Sequence, residues 1–283
     1  MLDVTGCLHK MYSELADSSV IYNLNIDNKL YNINEYIGNH TINIEYFGEI
    51  FCINCHKKTK TSFNQGYCFT CFRALASCDR CIMSPELCHF HLGTCREPDW
   101  AEQNCMQNHI VYLANSSGLK VGLTKLSQVP TRWIDQGATQ AVIIARLGNR
   151  HQAGLLEVMC KQFIKDRTDW RAMLKNKPDD TDLLRARDEL YEKIAPEFLK
   201  LKEQYTINNE DKITWCVGEK SEEVQCIDYP VQNYPEKVAS INLEKTMNLS
   251  GKLMGIKGQY LILDTGVINL RKYTGYKVRV SVV

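Results

Sequence analysis

Apolar and polar residues alternate with period two at both ends of the chain, and the middle changes character. Near the start, Val20-Ile21-Tyr22-Asn23-Leu24-Asn25-Ile26 runs into Asp27-Asn28, and Thr41-Ile42-Asn43-Ile44-Glu45-Tyr46 alternates after it. Near the end, Gln259-Tyr260-Leu261-Ile262-Leu263 meets Asp264-Thr265-Gly266, and Tyr276-Lys277-Val278-Arg279-Val280 alternates again. Such runs bounded by Asn, Asp and Gly predict half-buried strands and turns. The two ends also share residues: Asp27, Asn32, Tyr36 and Gly38 stand 237 positions before Asp264, Asn269, Tyr273 and Gly275, and Gly6-x-Leu8 matches Gly251-x-Leu253. Two such hairpin units are marginal alone and can bury each other's apolar faces. The reading is one discontinuous β-domain, in which residues 1–50 pair with residues 246–283.

Between the ends the pattern gives an α/β unit over residues 109–205. Ile110-Val111-Tyr112-Leu113 and Leu119-Lys120-Val121-Gly122 flank the turn signal Asn115-Ser116-Ser117-Gly118, and Ala141–Ala145 reads as a third strand. From about Gln152 the residues Leu155, Leu156, Met159 and Phe163 fall on one helical face. A second helix follows Asp182, with Pro196 marking a kink or break. Ile213–Val217 reads as a strand inside a connecting segment, residues 206–245. The fold class expected is α+β, a small mixed sheet with flanking helices between two β-rich ends.

Composition changes this picture in one place. Nine of 13 cysteines lie between Cys52 and Cys105. Cys52-x-x-Cys55 and Cys68-x-x-Cys71 each let a tight turn aim two sulfurs at one ion, and together they complete a tetrahedron, a zinc knuckle or ribbon. Cys78, Cys81, Cys88 and Cys95 offer a second four-thiolate set, with His89, His91, Cys105 and His109 as replacements and an iron–sulfur cluster as the alternative to Zn²⁺. Residues 51–108 are therefore read as a zinc-binding region with two structural sites. The start MLDVTGCLHK has no apolar leader, which favours a reducing, cytoplasmic setting over disulfides. No run approaches the ~18 apolar residues of a membrane span. Net charge is only +1, so any nucleic-acid binding must rest on local patches.

The segment HIVYLANSSGLKVGLTK, followed by Arg132 and Glu157, resembles the GIY-YIG nuclease fold. Ile110-Val111-Tyr112 stands in the place of the first triplet and Lys120-Val121-Gly122 in that of the second; the first Gly and the second Tyr are replaced by Ile110 and Lys120. The resemblance implies a metal-dependent endonuclease. Glu157 would hold one Mg²⁺ or Mn²⁺, Arg132 would fork onto the phosphate, and Tyr112 with Lys120 would handle the attacking water. With LKVGLT and TRWIDQGATQA, the cysteine pattern is also similar to an uncharacterised bacterial and archaeal family of unknown function.

DNA or structured RNA is the partner this implies, and Lys125, Trp133, Gln136, Arg150 and Lys161 are the candidate contacts. Two other functions fit the same residues. One is a zinc-stabilised DNA- or RNA-binding protein without catalysis, and the other is a protein-interaction adaptor.

Overall fold

The computed structural model describes residues 2–206, 213–217 and 222–283. The N-terminal part holds β1 (Asp3–Cys7), β2 (Tyr12–Ala16), β3 (Ser19–Ile26), β4 (Lys29–Asn32), β5 (Thr41–Phe51) and β6 (Lys58–Thr59). The cysteine-rich part contributes α1 (Phe69–Ala74) and α2 (Pro98–Asn104), joined by short 3-10 turns. Then come β7 (His109–Asn115), β8 (Leu119–Lys125), α3 (Thr131–Asp135), β9 (Gln140–Leu147), α4 (Arg150–Lys161), α5 (Trp170–Leu174) and α6 (Leu183–Thr206). The chain ends with β10 (Thr214–Trp215), β11 (Gln225–Cys226), β12 (Asn248–Lys257), β13 (Tyr260–Leu263), β14 (Gly266–Asn269) and β15 (Tyr276–Val282). This is an α+β architecture of antiparallel sheets with few helices.

Both ends of the chain build the largest sheet, ordered β1-β15-β5-β12-β13-β14 with β6 on β5. Its centre has an approximate two-fold relation. β5 and β15 pair with Ile44 opposite Val280, flanked by Asn43–Ser281 and Glu45–Arg279, while β1 lies on β15 as β12 lies on β5. The shared residues carry this relation. Cys7 N–H donates to Asp27 Oδ1 at 3.0 Å, and Lys252 N–H donates to Asp264 Oδ1 at 2.8 Å. Gly38 and Gly275 both take φ near +90°, at 90° and 87°, where a Cβ is strained. Each donates at 2.7 Å across to the other half, Gly38 to Leu253 O and Gly275 to Leu8 O. β2, β3 and β4 form a small sheet whose residues Val20, Tyr22, Leu24 and Ile26 alternate inward. Asp27 and Asn28, at φ 48° and 62°, supply its turn.

The middle sheet is ordered β10-β9-β7-β8, with β11 also on β9. The sequence reading of a mixed sheet is corrected here, because every ladder in it is antiparallel. The connection through α3 carries the chain from β8 across β7 to its far side. β9 therefore runs parallel to β8 without touching it. One face of β7, with Ile110, Tyr112 and Ala114, packs with α3 and the terminal domain. The other face, with Val111 and Leu113, packs with α4 and α6.

Two helix readings also change. α6 runs unbroken through Pro196. On α4 Leu156 is buried and Leu155 and Met159 pack half-buried on the same core, as expected; Gln152, Ala153, Gly154, Glu157 and Cys160 are buried as well, while Phe163 lies exposed beyond the helix end. The cause is a second neighbour: the cysteine-rich segment covers α4 at Gly154, where an added Cβ would lie 2.6 Å from Glu86 N. The expected strand Ile213–Val217 is reduced to β10, and the rest of residues 206–245 lies partly outside the described residues. Among the described residues no helix is long and apolar enough to cross a membrane.

Candidate functional site

Cys52 and Cys55 sit in the turn between β5 and β6, while Cys68 precedes α1 and Cys71 lies within it. His56, at φ 58°, closes the first turn, donating its N–H to Cys52 O at 2.9 Å as Cys52 N–H donates to Lys57 O at 3.0 Å. All four sulfurs lie within 4.8 Å of one another. The Cys55–Cys68 separation of 3.8 Å equals the edge of a tetrahedron with Zn–S of about 2.3 Å, which is about 3.8 Å.

Burial opposes ionisation of Cys52, but the backbone amides of Cys55, Cys68 and Asn54 draw its thiol down to about 6. Asn54 donates to Cys71 Sγ at 3.4 Å, yet burial and the three neighbouring sulfurs push Cys71 up to about 12. Four thiolates this close need a cation, and a zinc-like ion fits the donor set.

The second set is arranged differently from the sequence reading. Cys81, Cys88, Cys95 and Cys105 line one small cavity together with Ala76, Ile82, Phe90, Trp100 and Ala101. Cys78 instead receives the Asn64 amide at 3.5 Å on its sulfur. Cys105, at the end of α2, lines the cavity, and Arg150 N–H donates to its carbonyl oxygen at 2.8 Å. Asp79, Cys81 and His89 also lie close together. Asp79, however, is engaged by Arg96 at 2.7 Å and faces His89 Nε2 at 3.7 Å. His91 stacks on His151 at 5.6 Å.

Tyr112, Lys120, Arg132 and Glu157 are brought into one electrostatic neighbourhood at the β7–β8 hairpin, all buried except Arg132, which is half-buried. Tyr112 is fully buried; its hydroxyl donates to Gln136 Oε1 at 3.0 Å and its ring meets Trp133 edge-on at 5.9 Å. Burial raises its phenol, against the pull of Arg132 and Gln136. Lys120, 4% exposed, donates to Thr168 Oγ1 at 3.2 Å. Burial, helped by Arg132, brings its amine down to about 8. Glu157, 8% exposed, holds Lys161 at 2.8 Å, and Lys161 also reaches Asp166 at 3.3 Å.

Of the residues expected to touch nucleic acid, Lys125 and Arg150 line an open groove of about 860 Å³ between the middle sheet, the first cysteine turn and the terminal sheet. Trp133, Gln136 and Lys161 are committed inward to Tyr112 and Glu157 as described. The groove adds cations that linear reading missed, Lys10 and Arg271 from opposite ends of the chain, beside Arg132. Only the repeat of the two ends hinted at their meeting.

Among the described residues no carboxylate lines this groove. Asp135 lies behind it, paired with Lys10 and 3.9 Å from Arg271. Burial lowers Arg271 and Arg150, and Arg132 lowers both further. Arg150 Nε is buried without a partner. His109, also in the lining, donates its Nδ1–H to Gln107 O at 2.7 Å, and burial brings it down to about 4, so it is neutral. The arrangement is a cleft lined by five cations, two of them backed by Asp135.

No curated protein and no solved structure matches the chain. A family model does, over residues 39–278, which takes in β5, the cysteine-rich segment, the middle sheet and the first residues of β15. The chain belongs to this family, described as a protein of unknown function, DUF2797.

Proposed function

We propose that this protein binds nucleic acid by its sugar-phosphate backbone in the groove, with a zinc-held turn forming one wall. The observation that carries the reading is the lining itself: Lys10, Lys125, Arg132, Arg150 and Arg271 with no carboxylate among them. Like charges held this close are relieved when an anion enters, and a phosphate chain brings one charge per contact.

A second reading, phosphodiester hydrolysis, is favoured by the meeting of Tyr112, Lys120, Arg132 and Glu157 at a hairpin resembling that of GIY-YIG nucleases. Lys120, with its amine at about 8, can exchange a proton near neutral pH, and Arg132 can neutralise a phosphate that reaches it from the groove. A divalent ion does not fit Glu157 as it stands, because the Lys161 ammonium already occupies that carboxylate. Binding without cleavage is therefore the reading the geometry supports better.

The test is a titration of labelled single- and double-stranded DNA and RNA against salt. Binding should weaken steeply with salt, and Lys125→Ala and Arg271→Ala should each flatten the log–log slope by about one. Affinity that ignores both salt and these variants sinks the proposal. The same mixtures with Mg²⁺ or Mn²⁺ decide the second reading: product formation abolished in Glu157→Gln supports it, and intact nucleic acid throughout removes it.

A further inference from the structure

The cationic groove carries aromatic side chains as well as charges. Tyr67 and Trp100, both half-buried, line it from the cysteine-rich part, together with Lys10, Arg132 and Arg271 from elsewhere in the chain. Of the four tryptophans only Trp100 belongs to this lining. Trp133 and Trp215 are buried, and Trp170 is stacked on Tyr260 at 5.7 Å.

Both groove rings are held in place. Trp100 lies on α2 and also lines the small cavity of Cys81, Cys88, Cys95 and Cys105, so it is packed from within while the groove meets it from outside. Tyr67 and Phe63 exchange N–H to O bonds at 2.9 and 2.8 Å, and the Tyr67 hydroxyl accepts from Ser77 Oγ at 3.4 Å. A ring fixed before binding loses little side-chain freedom when a ligand lies on it. A cation is tied to the same place. Asn104, one turn further along α2, donates Nδ2 to Trp100 O at 2.9 Å, and its Oδ1 accepts from Lys125 Nζ at 3.2 Å. One amide thus sets an ammonium beside the helical turn that carries the indole.

A nucleotide joins a flat base to a phosphate. In a duplex the base faces are covered by their neighbours, and sequence is read at base edges by elements that project into a groove. Here the rings line a hollow of about 860 Å³, within the size of a small-molecule site. Only an unpaired base can lay its face on a ring inside it. Aromatic rings beside a positively charged groove hold single strands with little sequence preference, because every base has a π-face.

We propose that the groove takes a single strand of nucleic acid, with an unpaired base stacked on Trp100 and a neighbouring phosphate on Lys125. This rests on the groove reading given under the proposed function and adds to it the strandedness of the ligand and the residue that selects it. Charge supplies the affinity that salt weakens, and the indole supplies a part that salt leaves alone.

The full chain is titrated with one labelled oligonucleotide, single-stranded and annealed to its complement, at several salt concentrations. The single strand should bind more tightly than the duplex and quench tryptophan fluorescence. Because Trp100 also lines the cysteine cavity, Trp100→Leu, which keeps apolar bulk there without a π-face, is read beside Trp100→Phe, which keeps the face. Trp100→Leu should weaken single-strand binding roughly 5- to 150-fold, the equivalent of about 1–3 kcal/mol per stacked base, and leave the salt slope unchanged. Trp100→Phe should retain most of the affinity, which also shows that the chain has folded. Lys125→Ala should change the slope instead. Duplex binding as tight as single-strand binding, or Trp100→Leu with wild-type affinity, overturns the proposal; if the steep salt slope remains, the groove reading stands without it. Binding that ignores both salt and Lys125→Ala removes both.

Discussion

Lys120 shows at the scale of one residue what the middle sheet holds under strain. Its ammonium is 4% exposed beside Arg132, with Thr168 Oγ1 as a hydrogen-bond acceptor at 3.2 Å. Burial brings its pKa from 10.5 to about 8. Below about pH 8 both folded and unfolded chains carry this proton, so the folded state bears the whole cost of burying the charge. Between about 8 and 10.5 the unfolded chain binds the proton and the folded chain does not, so stability rises with pH. The full difference is on the order of 3 kcal/mol. Lys120→Met should therefore be more stable than wild type at pH 7, and its advantage should shrink toward pH 10. Urea unfolding of both proteins across this range checks it, and a pH-independent difference defeats the assignment. The four residues singled out here were legible because strand spacing and turn signals fix their order. The burial of Tyr112 and Lys120 was not legible, because distant segments supply it: α3 and the terminal domain pack on Tyr112, while the segment after α4 carries Thr168 to Lys120 and its Lys165 O accepts the Val121 N–H at 2.9 Å. The Glu157–Lys161 pair was readable as an i, i+4 spacing and weakens the case for a metal there.

At the scale of elements, the strands and hairpins were readable, and the α4 face was readable at Leu155, Leu156 and Met159 but not on its second buried side. Period-two alternation places Val20, Tyr22, Leu24 and Ile26 on one side whatever covers them. For α4, apolar spacing pointed to Leu155, Leu156, Met159 and Phe163, yet a distant segment packs against Gly154. That contact leaves no room for a side chain: a Cβ there would lie 2.6 Å from Glu86 N and 2.7 Å from Pro85 C, both backbone atoms. Ordinarily Gly→Ala inside a helix stabilises by about 0.5–1 kcal/mol. Gly154→Ala should instead destabilise by roughly 1–3 kcal/mol, because the cysteine-rich segment must shift. Thermal or urea unfolding reads the sign directly, and stabilisation would mean that the segment does not pack on α4 as described. The same dependence on distant packing hid that Cys105, and not Cys78, lines the cavity with Cys81, Cys88 and Cys95. Sequence spacing shows that eight cysteines and histidines stand near one another, but not which thiols face a common cavity.

At the scale of the whole molecule, the groove belongs to no single stretch of chain. Lys10 and Arg271 come from the two halves of the terminal sheet, Asn64 and Gln65 from the first cysteine turn, and Lys125, Arg132 and Arg150 from the middle unit. The zinc-like site fastens these parts together. Phe51 N–H, next to Cys52, donates to Gly275 O at 2.7 Å, Ile53 N–H donates to Gly66 O at 2.9 Å, and Arg271 Nε donates to Gln65 Oε1 at 2.7 Å. A metal that binds only the folded chain adds about 1.4 kcal/mol per tenfold excess over its dissociation constant. Losing it frees the turn that presents Gln65 to Arg271. Cys55→Ser, which removes one of four sulfurs, should therefore lower both the melting temperature and the affinity for nucleic acid, with the Arg271→Ala effect on the salt slope largely absorbed into it. Added free zinc should raise the melting temperature of wild type but not of Cys55→Ser. Differential scanning calorimetry with and without a chelator, run beside the binding titration, separates the outcomes. If chelation lowers the melting temperature while affinity and salt slope stay unchanged, the metal holds its own turn but not the groove. If neither changes, Cys52, Cys55, Cys68 and Cys71 do not carry a structural metal.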